Sequence, residues 1–403
     1  MTIRTPTRPM SFVAVLASVL LPLSAYAQDG SRAALTDLEQ LAERLVVTAR
    51  VKEGDVALII GQTHDAELLE NLAVHVRKRG AFPFVGYSSD RLERRLLFDV
   101  PAEYDSQSDA LGLQLAEMID VVFVLPNGLT ENVLEGADPE RLAARGQAGE
   151  AIGQALFRNN VRTVEIGNGF YPTPWRAERY GMSEAALARV FWQSVNLDYA
   201  SLQRRAAQVQ AALASADKVH ITHPNGTDFT VRVNHGSVLV SDGVISDEEM
   251  QQGGPAVAVY LPAGEVYTTP VPGTANGTVV HTRDYFLGEP IDDLTLTFRD
   301  GRLTSMTGTG PGYDGFRAAY DAVDDPRKDL FGFVDLGINP NVALPGDSMV
   351  GSWIPAGTIT VGMGVNAWAG GDNTVAYGLA VFLPGSTVTF DGETVIEAGE
   401  LKL

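Results

Sequence analysis

At 403 residues the chain is longer than a single hydrophobic core usually supports, so two domains are expected. An apolar fraction of 45% with 20% charged residues excludes a disordered chain. A formal net charge of −20 excludes a nucleic-acid binder, which needs a basic face to neutralise phosphates. With no cysteine, neither disulfides nor thiolate metal sites can form.

The N-terminus reads as a secretory signal peptide over residues 1–27. Arg4 and Arg8 precede an apolar run over 12–23, and Ala25-Tyr26-Ala27 ends it in an A-x-A cleavage pattern. The run is too short for a stable membrane span, so the chain is expected to be periplasmic or secreted after cleavage behind Ala27.

Residues 31–181 read as an α/β domain. Apolar spacing predicts a helix over 35–51, then a strand over 55–61. A helix over 65–79 is closed by Gly80, which suits the left-handed C′ position. Further strands are predicted over 82–87, 119–126 and 161–167, with a helix over 139–157. Short, continuously apolar strands separated by helices indicate a parallel sheet covered on both faces. Two strands end in Gly61-Gln62-Thr63 and Gly167-Asn168-Gly169, without a G-x-G-x-x-G or Walker A pattern. Both read as tight turns, and no nucleotide site is expected.

Over residues 182–216, Val195, Tyr199, Leu202, Ala206, Val209 and Leu213 form one apolar stripe. This predicts a single interdomain helix with Ser183 as N-cap; Ala186 cannot complete a capping box. Residues 217–403 read as a β-rich (α+β) domain. Asn225-Gly226, Asn276-Gly277, Asp300-Gly301 and Asp391-Gly392 each signal a hairpin, with one helical interlude over 315–323.

Glu265 stands in the turn Pro262-Ala263-Gly264-Glu265 after an apolar strand, where a rigid sheet can hold a carboxylate accessibly. Such a carboxylate is a metal ligand, a general base or a solvated turn residue. His281 and Asp284 stand three apart, as do His220 and His223, whereas strand neighbours on one face are two apart. Surface or hydrogen-bonded structural histidines are the expectation there, and also for His64 and His235. Asp228 and Asp242 read as turn residues. Trp353, Trp368 and Tyr377 read as core aromatics that could also line a pocket. No G-x-S-x-G elbow is present.

The segments GTDFTVRV, DGVIS, LPAGEVYTTPV, NGTVV and DLTLTFRDGRL, preceded by DYASLQRRAAQVQAALASADKVHI, resemble the aminopeptidase T-like metallopeptidases, family M29. The resemblance is most specific over residues 195–305. It implies an α/β N-terminal domain, a β-rich C-terminal domain, a homodimer and two divalent metals. It makes Glu265 the counterpart of a metal-bridging glutamate and Asp335, in GFVDLGINPN, the counterpart of a second glutamate. Two departures stand out. Thr360 occupies the place of a ligand histidine, and Gly378 or Leu379 that of the histidine in the family's H-x-D motif. No histidine follows His281. A catalytic metal needs about three protein ligands and an open position, so Glu265 and Asp335 alone make at best a weak oxygen-ligand site. Two functions follow: a divergent metal-dependent hydrolase of peptides or other small substrates, or a non-catalytic descendant that binds a small-molecule or peptide ligand.

Overall fold

The computed structural model of the protein describes residues 35–345, 348 and 350–403; the expected leader over 1–27 lies outside them. Helix α1 (Leu38–Thr48) begins at Asp37, whose carboxylate accepts from the Gln40 amide at 3.0 Å. Its residues Leu38, Leu41, Ala42 and Leu45 recur at helical spacing and are buried. Strand β1 (Val56–Gln62) and helix α2 (Ala66–Lys78) follow, and Gly80, at φ +77°, occupies the left-handed position just beyond α2.

Next come β2 (Phe82–Ser88), α3 (Asp90–Phe98), α4 (Ala110–Met118), β3 (Val121–Leu125), α5 (Pro139–Arg158) and β4 (Arg162–Ile166). The sequence gives no sign of α3 and α4. Each spans 9 residues, and α3 buries only Leu97, so no full apolar stripe is written into it. The four strands pair in parallel in the order β2-β1-β3-β4. Ile59 joins the cluster of Leu41 and Leu72 on one face, while Leu58 and Ile60 join Ile152 and Leu156 on the other. Helices therefore cover both faces, which is why β1 is apolar until it ends at Gln62.

After α6 (Pro174–Arg179), the single interdomain helix expected over 182–216 proves to be two, α7 (Glu184–Val195) and α8 (Tyr199–Ser215). Asp198 leaves the helical conformation, and its side chain accepts from the Ala200 amide at 3.1 Å to start α8. Aspartate favours a cap over a helix interior, so an unbroken stripe concealed a break. Ser183 caps α7 through the Ala186 amide at 3.2 Å.

Strands β5 (Lys218–Thr222) and β6 (Asp228–Ser241) form the hairpin around Asn225-Gly226. Helix α9 (Asp247–Gln252) then leads to β7 (Ala258–Leu261), which pairs in parallel with β4. The N-terminal sheet thus has five strands and draws the last from beyond residue 217, so the two sheets do not part at the expected boundary.

The remaining strands are β8 (Glu265–Pro270), β9 (Asn276–Phe286), β10 (Glu289–Arg299), β11 (Arg302–Thr309), β12 (Phe331–Gly337), β13 (Ile359–Gly364), β14 (Gly378–Leu383), β15 (Thr387–Phe390), β16 (Glu393–Glu397) and β17 (Glu400–Leu401). With β5 and β6 they build a 12-stranded sheet, and α10 (Tyr313–Asp321) is the helical interlude. Asp300-Gly301 and Asp391-Gly392 have positive φ at both residues, as primed hairpin turns require. Asn276-Gly277 is not a hairpin but the start of β9. A Cβ on Gly277 would lie 2.2 Å from the Asp228 carbonyl oxygen, so glycine there serves close backbone approach. Among the described residues, no helix is long and apolar enough to cross a membrane.

The link Pro262-Ala263-Gly264 carries the chain directly from the parallel sheet into the antiparallel one. Gly264 has φ +136°, and a Cβ there would meet Asn339 Cβ, N and Cα at 2.6, 2.8 and 3.0 Å. Gly264→Ala is therefore expected to destabilise the protein by about 2–4 kcal/mol. Gly54→Ala, at φ +86° but with nothing within 4 Å of its Cβ, should cost about 1 kcal/mol. Equal urea midpoints for the two variants would refute the close contact.

Candidate functional site

Glu265 is the first residue of β8 and is wholly buried, so it is not a solvated turn residue. The backbone immediately before it, at Gly264, is held from both sides. The Gly264 amide donates to Ser241 O, and Ile338 N–H donates to Gly264 O, both at 2.8 Å. Asn339 Nδ2 donates to Ala263 O at 2.6 Å, and Asn168 Nδ2 lies 3.2 Å from Pro262 O and 3.4 Å from Glu265 Oε1. Both asparagines are buried. The Gly167-Asn168-Gly169 turn thus does more than reverse the chain: it presents an amide to Glu265. Nothing in the local sequence marks that role, because Asn168 and Glu265 meet only when β7 pairs with β4.

Strand register places Asp335 beside Glu265. Tyr267 pairs with Asp335, and Glu265 pairs with Gly337, so the two carboxylates share one face as diagonal neighbours, about 7–8 Å apart at Cα. Asp335 pairs in turn with Thr360, and Thr360 with Phe382. Glu265, Asp335 and Thr360 are all wholly buried.

Aromatic rings pack along this part of the sheet. Phe333 lies 4.7 Å from Trp368 and 5.6 Å from Trp353; Trp353 lies 5.2 Å from Phe382, and Trp368 lies 5.3 Å from Tyr267. These tilted and edge-on contacts make a continuous apolar layer.

The donors do not fit a two-metal centre. Two such ions need ligands for both at about 3.5–4 Å separation. The strand neighbours of the two carboxylates are Gly337 and Ser241 for Glu265 and Tyr267 and Thr360 for Asp335, with no histidine or further carboxylate among them. Among the described residues, no group of three or more His, Asp and Glu is placed to hold a metal ion.

Beside this face lies a cleft of about 490 Å³ at the carboxyl ends of β1 to β4. The sheet order reverses between β1 and β3, and a crevice outside the strand ends at that point is where open α/β sheets take ligands. Gln62, Asn127, Glu165 and Asn168 line it from the first sheet, and Trp353, Ala380 and Phe382 from the second. The volume suits a small organic molecule. Trp353 and Phe382 therefore belong both to the cleft wall and to the aromatic layer.

Of the histidines, His220 is half-buried beside Asp228 at 2.8 Å, and His235 contacts Ala214 O. His223 accepts from the Asn225 amide, and His64 lies beside Asp65 at 3.5 Å. His281 differs from the expectation for its type. It is 3% exposed, makes no hydrogen bond, and stands 3.7 Å from Asp284 and 6.2 Å from the Phe382 ring. Tyr377 is also buried, and burial pushes its phenol well above the ordinary value.

Burial pushes His281 below its ordinary value of 6.5, and the Asp284 carboxylate opposes the shift. The unfolded chain then binds this proton more readily than the folded one. His281 stabilises the fold above about pH 6.5, and that contribution is lost as pH falls through its lowered folded value. The stability of the wild type relative to His281→Gln should accordingly shrink between about pH 8 and 5.5. A gap independent of pH in parallel urea titrations would contradict this.

Comparison with known proteins places the architecture. AmpT from Thermus thermophilus superposes with a TM-score of 0.66 at 17% identity, covering 91% of this chain and 99% of that one. The 2,5-dihydroxypyridine dioxygenase of Pseudomonas putida KT2440 superposes with a TM-score of 0.57 at 15% identity, covering 90% and 96%. At these identities the likeness concerns the fold. No curated protein matches the chain in sequence. The model of the thermophilic metalloprotease (M29) family matches residues 35–314, well over half of the length, and the chain belongs to that family.

Proposed function

We propose that this protein is an exported member of the M29 family that holds a small ligand in the cleft at the strand ends and performs no two-metal hydrolysis. The observation that supports this reading is the composition of the sheet face carrying Glu265 and Asp335. Thr360 and Phe382 stand next in register, and an aromatic layer packs over them. A metal of the family's kind would need further donors and an open coordination position, and this face offers hydroxyls and rings. The cleft does not depend on those donors, because its walls come largely from β1 to β4 and the loops after them.

A second reading, a divergent metal-dependent hydrolase of peptides, draws on a different observation. Family membership implies a divalent metal, and Glu265 and Asp335 do share one face of adjacent strands. Metal analysis of the purified protein, with a melting curve before and after chelation, separates the two. The expected result is less than one ion per chain and an unchanged melt. Two ions per chain and a melt that falls by several degrees on chelation would overturn the proposal, because a tightly held ligand adds about 3–4 kcal/mol to stability. Under the metal-free reading, Glu265→Gln leaves ligand affinity within about twofold. Under the hydrolase reading it abolishes cleavage.

Export and the homodimer are part of the same proposal. Expression with the native leader should yield a mature N-terminus at Gln28, and light scattering should give twice the chain mass. A retained leader or a single-chain mass would remove the corresponding element.

A further inference from the structure

The charge of the cleft is one-sided. Among the described residues, its lining carries the carboxylates of Asp90, Glu93, Glu131, Glu135, Glu165 and Asp284 against two guanidiniums. Both guanidiniums are engaged. Arg179 lies 3.2 Å from Glu131, donates to Gly288 O at 2.8 Å and stacks 3.7 Å from the Tyr285 ring centre. Arg176 donates to Tyr171 O at 3.2 Å and lies over Trp175 at 4.3 Å. Low-dielectric walls around charges of one sign focus the field and concentrate the opposite sign inside.

Two of these carboxylates are held against each other. Asp90 and Glu93 stand one helical turn apart in the first turn of α3. Burial, and then the Asp90 charge, push the Glu93 carboxyl above its ordinary value. A further positive group beside them would oppose both effects, as Arg145 does in part.

The other wall carries an independent sign of a ligand. Asp284 enters the cleft from β9, and behind it sits His281, 97% buried on the complement of its 3% exposure, with both ring nitrogens lacking a hydrogen bond. Its Nδ1 is directed at Asp284 Oδ2 across 3.7 Å. Burying a polar ring without a partner is costly, and such groups cluster where the fold serves something other than its own stability. Trp353 and Phe382 supply apolar surface beside this pair.

We propose that the cleft binds a small organic cation, a primary amine or short diamine, whose ammonium groups contact Asp284 and the Asp90–Glu93 pair while its carbon body lies against Trp353 and Phe382. The inference rests on the ligand-binding reading of the same cleft. A bare metal cation is the poorer occupant, because among the described residues no group of three or more His, Asp and Glu is placed to hold one. An ammonium group needs fewer, more widely spaced oxygens and gains from aromatic faces. A carboxylate or phosphate ligand would enter against the field of the lining.

The test is calorimetric titration of the mature protein in chelator, with the metal content of the same sample measured. The probes are putrescine and 2-phenylethylamine, compared with 2-phenylethanol and phenylacetate. The amines should bind at least tenfold more tightly than the alcohol, and phenylacetate should give no heat. Asp284→Asn and Glu93→Gln should each weaken the amines at least tenfold, with Glu117→Gln, an exposed acid away from the cleft, unchanged. Equal affinity for amine and alcohol, or an equal loss in Glu117→Gln, overturns the inference. A metal-free sample with no amine preference removes the inference alone. Two retained ions with the preference intact remove the metal-free reading and leave the amine site standing.

Discussion

Three residues, Pro262-Ala263-Gly264, hold the two halves of this molecule in register. They join the last strand of the parallel sheet to a central strand of the antiparallel one, with no room for a flexible linker. Asn168 from the first half and Asn339 from the second donate to adjacent carbonyls of the link, Pro262 O and Ala263 O. A buried carbonyl left unsatisfied would cost about 1–3 kcal/mol, so both contacts fix orientation as well as contribute stability. One consequence is that the larger of the two hydrophobic clusters runs through both sheets. Leu41 of α1 and Ile396 of β16 belong to one connected cluster.

Most of the first sheet was legible in the sequence because its strands are buried on both faces and need unbroken apolar runs. Helices α3 and α4 were not legible, since each is short and only partly buried. The break between α7 and α8 was hidden for the opposite reason: the apolar stripe continues across Asn196-Leu197-Asp198, and a stripe reports which side is buried, not whether the backbone is continuous. Asn276-Gly277 misled because the dipeptide signals positive φ, which a close backbone crossing requires as much as a hairpin does.

The site was legible in a different proportion. Glu265 could be singled out from its place at a strand end, and the family resemblance supplied Asp335. Their sharing of one face required the register of β8 against β12. Asn168 and Asn339 carried no local signal, since each acts on a residue at least 70 positions away in the chain. His281 was weighed by its spacing to Asp284, but what distinguishes it is burial without a partner, which only tertiary packing creates.

Fold and chemistry separate cleanly in this architecture. The chain belongs to a metalloprotease family, yet a dioxygenase superposes on it over most of both lengths, so the scaffold does not dictate the reaction. The reason lies in which elements do what. The cleft arises where the parallel sheet reverses order between β1 and β3, and any α/β sheet of this order leaves a crevice there. The carboxylates, by contrast, sit on β8 and β12, further along the same sheet from Phe382 on β14. Changes on β13 and β14 can therefore alter the second region without removing the first. A chain built in this way can lose the residues for one chemistry and still present a formed, charged and solvent-reachable pocket, and the sign of that pocket's charge then becomes the chief determinant of what enters it.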